Sequence, residues 1–167
     1  MSSIIIDGYN LVGINHADLE ARREKLISLL VDYRKKRGHT LLVVFDGWKD
    51  GGMRETSAVR GGVTVIYSRL AEKADAVIKR IISSDRREWI VVSSDREIAD
   101  HAWATGSVPI AAEEFLLFLG KDRGEDEGDD NREEDRGDDE ETDVTRKGNP
   151  HRLSKKEKAV RRVIAKL

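Results

Sequence analysis

Short, unbroken apolar runs alternate along the chain with segments whose apolar residues recur every three to four positions. The runs are Ser3 to Ile6, Leu41 to Phe45, Val63 to Tyr67, Trp89 to Val92 and Val108 to Ile110. Hydrophobicity that is continuous rather than alternating marks strands covered on both faces, as in a parallel sheet. Residues 17–37 predict a helix through Leu19, Leu26, Ile27, Leu29, Leu30 and Tyr33, stopped by Gly38. Residues 72–84, 96–105 and 112–119 predict further helices. Residues 47–61 are rich in glycine and have no period, so they read as a long loop. Strands alternating with helices predict a doubly wound α/β domain, with a central, mostly parallel sheet of about five strands.

The pattern stops after Gly120, which divides the chain into three expected parts. Residues 1–120 form the domain and carry 17 basic and 17 acidic side chains. Residues 121–149 are mostly Asp, Glu, Arg and Gly, with Val144 the only apolar member, and predict a disordered acidic linker. Residues 150–167 are a basic tail. Within it, residues 153–167 predict a short amphipathic helix, with Leu153, Val160, Val163, Ile164 and Leu167 opposite Lys155, Lys156, Lys158, Arg161, Arg162 and Lys166. The net charge of -2 therefore hides a block of -10 over 121–145 and one of +8 over 146–167.

Composition removes several chemistries. The chain has no cysteine, so disulfides, thiolate zinc sites and thiol catalysis are excluded. No apolar run reaches the roughly 20 residues of a membrane span. The start, MSSIIIDGYN, has no basic region and reaches an acid too early for a signal peptide. No membrane association and a cytoplasmic location are the expectation.

Three of the apolar runs lead to an aspartate: Asp7, Asp46 and, two residues beyond its run, Asp95. In open α/β sheets ligands bind outside the carboxyl ends of the strands, where strand order reverses. Carboxylates gathered there repel one another, and a divalent cation relieves this. An all-oxygen set suits Mg²⁺ or Mn²⁺. Asp75, in the first turn of a helix and one turn from Glu72, can present a fourth carboxylate. Asn10, in Asp7-Gly8-Tyr9-Asn10, can bond a carboxylate or a metal-bound water. The plain alternatives are helix caps for Asp95, a turn for Asp46, a helix-dipole partner for Asp75 and a turn asparagine for Asn10.

IIIDGYNLVG at 4–13, VVFDG at 43–47, EKADAVIKRI at 72–81 and VVSSDREIADHAWATG at 91–106 resemble the bacterial NYN-domain proteins of the YacP type, within the PIN-like nuclease superfamily. The resemblance covers about residues 1–119. It implies a PIN-like three-layer fold, an acidic divalent-metal site and endoribonuclease activity. It also implies that Asp7 is the central metal ligand, with Asp75 and Asp95 completing the set. Asn10 and Asp46 match motif positions, and Asp100 reads as a solvated helix residue. Such a site implies in-line attack by water on an RNA phosphodiester, leaving 5′-phosphate and 3′-hydroxyl ends. His16, His39, His101 and His151 read as surface or packing residues.

RNA also needs to be held. Arg54 and Arg60 in the glycine-rich loop, with Lys73, Lys79, Arg80 and Arg96 beside the acids, are candidates for phosphate contacts. Trp48 is the candidate for base stacking, whereas Trp103 reads as core. The basic tail is a candidate anchor for RNA or the ribosome, and the acidic segment a linker or an RNA mimic that folds over it. Other acid-bearing folds fit less well. A haloacid dehalogenase phosphatase needs an acid where Tyr9 stands, and a receiver domain needs paired acids after its first strand. A dinucleotide fold needs a glycine-rich turn that Gly8 and Gly13 do not make. The remaining alternative is an RNA- or ribosome-binding module of the same fold without turnover.

Overall fold

The structure is a computed structural model of the 167-residue chain. It describes residues 1–13, 18–47, 52–85, 87–121 and 154–167. Strand β1 (Ser3–Asp7) leads directly into a five-residue helix, α1 (Gly8–Val12), followed by α2 (Leu19–Arg37) and β2 (Thr40–Phe45). A hairpin of β3 (Thr56–Arg60) and β4 (Val63–Tyr67) comes next. Then come α3 (Ala74–Ser84), β5 (Trp89–Val92), α4 (Arg96–Ala104), β6 (Val108–Ile110), α5 (Ala112–Lys121) and α6 (Lys155–Ile164).

The sheet order is β3-β4-β2-β1-β5-β6. Every neighbouring pair is parallel except β3–β4. The chain builds outward from β1 through β2 to β4, then crosses back to β5 on the other side of β1. Strand order therefore reverses between β1 and β5, which places the ligand crevice at their carboxyl ends.

Side-chain alternation along β1 explains the layers. Ile4 and Ile6 face one side, where α2 contributes Leu26, Ile27, Leu30 and Tyr33 and α5 contributes Phe115 and Leu119. Ile5 faces the other, against Val77, Ile78 and Ile82 of α3 and Ile98 and Ala102 of α4. Both faces are covered, hence the unbroken apolar runs. Each fully buried aliphatic or aromatic side chain contributes about 1.5–3 kcal/mol relative to exposure.

The sheet has six strands rather than about five, because the expected loop over 47–61 contains β3. All five residues of β3 are exposed, so the strand carries no burial signal. The Gly61-Gly62 turn was the available clue. Arg60 pairs with Val63, leaving a two-residue loop whose glycines have φ of 56° and 85°. Positive φ at both positions is the hairpin turn that matches strand twist.

The C-terminal helix forms as expected. It opens with a reciprocal capping box between Ser154 and Glu157. It lies against the domain, with Val163 and Leu167 in the main core beside Tyr33 and Phe115. The Tyr33 hydroxyl donates to the Leu167 backbone oxygen at 3.0 Å, and Lys156 lies 5.4 Å from the centre of the Trp103 ring. Lys155, Lys158, Arg161 and Arg162 stay exposed. Trp103 packs against the core, as its helical position implied. Residues 122–149 of the expected linker, with Trp48, His16 and His151, lie outside the described residues.

Candidate active site

Asp7 ends β1 and caps α1. Burial leaves it 7% exposed. Its Oδ2 accepts from the Asn10 side-chain amide at 2.8 Å and from the Ser93 hydroxyl at 3.3 Å, and its Oδ1 accepts from the Asn10 N–H at 3.4 Å. Burial pushes the Asp7 carboxyl above its ordinary range; the nearby charge of Asp46 adds to this, and the bonds from Asn10 and Ser93 oppose it. The turn into α1 needs Gly8. A Cβ there would lie 2.2 Å from the Phe45 ring, so no larger residue fits between β1 and β2.

Asn10 ties the two strands together. It bonds Asp7 on one side, and its Oδ1 accepts from the Ser94 N–H at 3.3 Å on the other. Ser93 repeats the link, since its hydroxyl also accepts from the Asp95 N–H at 3.1 Å. Ser94 in turn donates to Glu113 at 2.6 Å and accepts from the Ala112 N–H. Along the sequence Ser93 and Ser94 only separate the apolar run from Asp95. Their roles depend on β5 lying beside β1, which local pattern does not reveal.

The other acids have different partners. Asp46 Oδ1 accepts from the Ala74 N–H. It thereby caps α3, whose own N-cap residue, Lys73, makes no side-chain cap bond. Tyr9 donates to the Asp46 carbonyl at 3.3 Å. Asp95 caps α4, its Oδ1 accepting from Glu97 N–H at 2.7 Å and Ile98 N–H at 3.4 Å. Asp75 pairs with Lys79 at 3.5 Å, and Lys79 also reaches Glu97 at 3.1 Å. Those carboxylates hold the Lys79 amine above its ordinary pKa, Glu97 contributing most. The second oxygens of Asp46 and Asp95 have no hydrogen-bond partner among the described residues. Among those residues, no three Asp, Glu or His side chains converge as a ready metal-binding group.

The basic candidates separate. Lys73 stands at the start of α3 and Arg96 at the start of α4, both exposed, and neither makes an ion pair among the described residues. Arg54 lines a groove with Glu72 and Arg80. Arg60 does not join the site. Its register opposite Val63 puts it at the amino end of the parallel strands, and Glu24 of α2 grips both arms of its guanidinium at 2.6 Å. His39 is buried just before β2, at the amino end of the parallel strands, and His101 meets Ser83 at 2.8 Å on α3.

A mostly parallel, three-layer α/β domain with Asp7 and Asp95 at the ends of the neighbouring strands β1 and β5 fits the PIN-like class. The family model of the YacP-like NYN domain matches residues 4–161, and the chain belongs to that family, within the PIN-like nuclease superfamily. The match runs past residue 120 into α6, further than the motifs alone reached. A curated relative, the uncharacterized protein YacP of Bacillus subtilis (strain 168), is 28% identical over 88 residues, 48% of this chain. The matched part spans about half, 51%, of that relative's length. The crystal structure of Rae1 (YacP) from Bacillus subtilis superposes with a TM-score of 0.60 at 25% identity, covering 72% of this chain and 75% of that one. The crystal structure of a mutant of the same Bacillus subtilis protein gives 0.58 at 24%, covering 72% and 76%.

Proposed function

We propose that the protein is a divalent-metal-dependent endoribonuclease that hydrolyses RNA phosphodiesters in RNA processing or decay. The observation that carries this reading is the buried Asp7 carboxylate at the switch point, fixed by Asn10 and Ser93 in a chain of the PIN-like nuclease superfamily. The residues suit a hard cation. Mg²⁺ keeps several waters and needs only one or two protein carboxylates besides substrate phosphate, so a ready three-acid group is not required. Asp7 would hold the ion, with Asp75 and Asp95 completing its surroundings and Asp46 close by. When bound, Mg²⁺ or Mn²⁺ offsets charge on the reacting phosphate and makes a water more acidic. Asn10 and Ser93 would orient the Asp7 carboxylate toward the ion. Lys73 and Arg96, both exposed, would meet RNA phosphates, and the exposed basic face of α6 would contact RNA or the ribosome.

The test is cleavage of a mixed cellular RNA pool with Mn²⁺ or Mg²⁺, followed by end-group analysis. The expected result is discrete cuts abolished by EDTA, with 5′-phosphate and 3′-hydroxyl ends. A 2′,3′-cyclic phosphate would contradict the water-attack chemistry. The second reading is a non-cleaving RNA- or ribosome-binding module. It is favoured by the capping and ion-pair work already given to Asp46, Asp75 and Asp95. Under it, RNA binds without metal and no cuts appear, even with ribosomes added.

A further inference from the structure

A groove along the corner between β4 and α3 enters the chemistry above only through Lys73 and Asp75. One stretch, about 710 Å³, is lined by Arg69, Leu70, Lys73 and Asp75. A second, about 320 Å³, shares Met53, Arg69 and Glu72 with the first and adds Arg54, Glu55 and Arg80. Arg69 and Arg80 are matched within the protein. Glu72 offers one carboxylate oxygen to Arg69 Nε and the other to Arg80 Nη1, each at 3.2 Å. The second arm of Arg80 is taken by Glu55.

The partners differ in freedom. The Glu72 side chain is 13% exposed, whereas Arg69 and Arg80 are 61% and 51% exposed. The backbone under Glu72 is pinned. Its carbonyl accepts from the Ser68 hydroxyl, which also accepts from the Gly47 N–H, and its own N–H donates to the Arg69 carbonyl. The carboxylate is therefore the enclosed half of the pairs and the guanidiniums the exposed half. A guanidinium fork that spans two carboxylates can equally span phosphate oxygens. Exposed pairs of this kind are weak, so exchange for a phosphate costs little. Exposed Leu70 and Met53 on the same groove give apolar surface against which unstacked bases can lie.

We propose that this groove takes a single-stranded RNA toward Asp75, with Arg69 and Arg80 gripping its phosphates and Glu72 neutralising both until a strand displaces it. The inference rests on the endoribonuclease reading for its ligand. The test is fluorescence anisotropy of a fluorescein-labelled single-stranded oligouridylate with the full chain in EDTA, over a range of salt. Arg69→Gln and Arg80→Gln should each weaken binding about 3- to 10-fold and flatten the salt slope by about 0.7. Glu72→Gln should tighten binding several-fold and steepen the slope. Glu55→Gln, which frees only one arm of Arg80, should act in the same direction and less.

Arginine variants that bind like the wild type, or a Glu72→Gln and a Glu55→Gln that both fail to tighten binding, would overturn the proposal. The two readings fail separately. Metal-dependent cleavage with an unchanged KM in the arginine variants rejects the groove and keeps the nuclease. Arginine-dependent binding without any cleavage keeps the groove and rejects the nuclease.

Discussion

Asp7 and Asp95 both stand at the carboxyl ends of neighbouring parallel strands, and both cap the helix that comes next. Their surroundings diverge from there. Asp7 is buried, and every bond it receives comes from Asn10 or Ser93. Asp95 is exposed, and one of its oxygens satisfies two backbone donors of α4 while the other has no partner among the described residues. An acid at a strand end can thus be mainly a helix cap or mainly a desolvated charge held at the switch point. Position alone does not distinguish the two; burial and partners do.

The widest separation should come from Asp7→Asn. It removes the charge, keeps the shape, and should lower RNA cleavage by about 10³-fold or more. The fold should persist, because burial already disfavours the ionised carboxylate; circular dichroism and Tm check this. Asp95 sharpens the contrast through two replacements. Asp95→Ser keeps an N-cap acceptor and should hold Tm within about 2 °C, whereas Asp95→Ala should cost about 1 kcal/mol. If Asp95 also serves the crevice, both variants lose cleavage equally, by about 10²-fold.

Gly8→Ala breaks the comparison from the other side. It leaves every carboxylate in place but drives a methyl into Phe45, so a loss of about 1–3 kcal/mol in urea unfolding is expected. Asp46→Ala orphans the Ala74 N–H at the start of α3 and should cost about 1–2 kcal/mol, with Asp46→Asn recovering most of it.

The smallest expected effect lies at the opposite end of the sheet. Burial holds the His39 imidazole below its ordinary pKa, and the charge of Arg37 adds to this. Its unfolded form therefore takes up a proton first as pH falls. Stability should be full above about 6.5 and decline as pH drops below it toward the folded value. A Tm-versus-pH curve for His39→Phe should lack that component.

Most of the sheet was readable because β1, β2, β4, β5 and β6 are covered on both faces and so appear as apolar runs. β3 was not, since an exposed edge strand has no such signature and only Gly61-Gly62 announced it. The same omission carried Arg60 to the wrong end of the domain. At the site, the contact between Asp7 and Asn10 was local, three residues apart, and legible. The bond from Ala74 to Asp46 spans 28 positions and that from Ser93 to Asp7 spans 86. Such contacts exist only once strand order is known. The docking of α6 through Val163 and Leu167 was likewise hidden, although its amphipathic spacing predicted the helix itself.

The central claim is that Asp7 is the charge on which RNA hydrolysis depends. The most direct measurement compares kcat/KM for one defined cut, with Mn²⁺ present, between the wild type and Asp7→Asn of matched Tm. The account predicts a fall of about 10³-fold or more with RNA affinity largely kept. Cleavage within a few-fold of the wild type would contradict it.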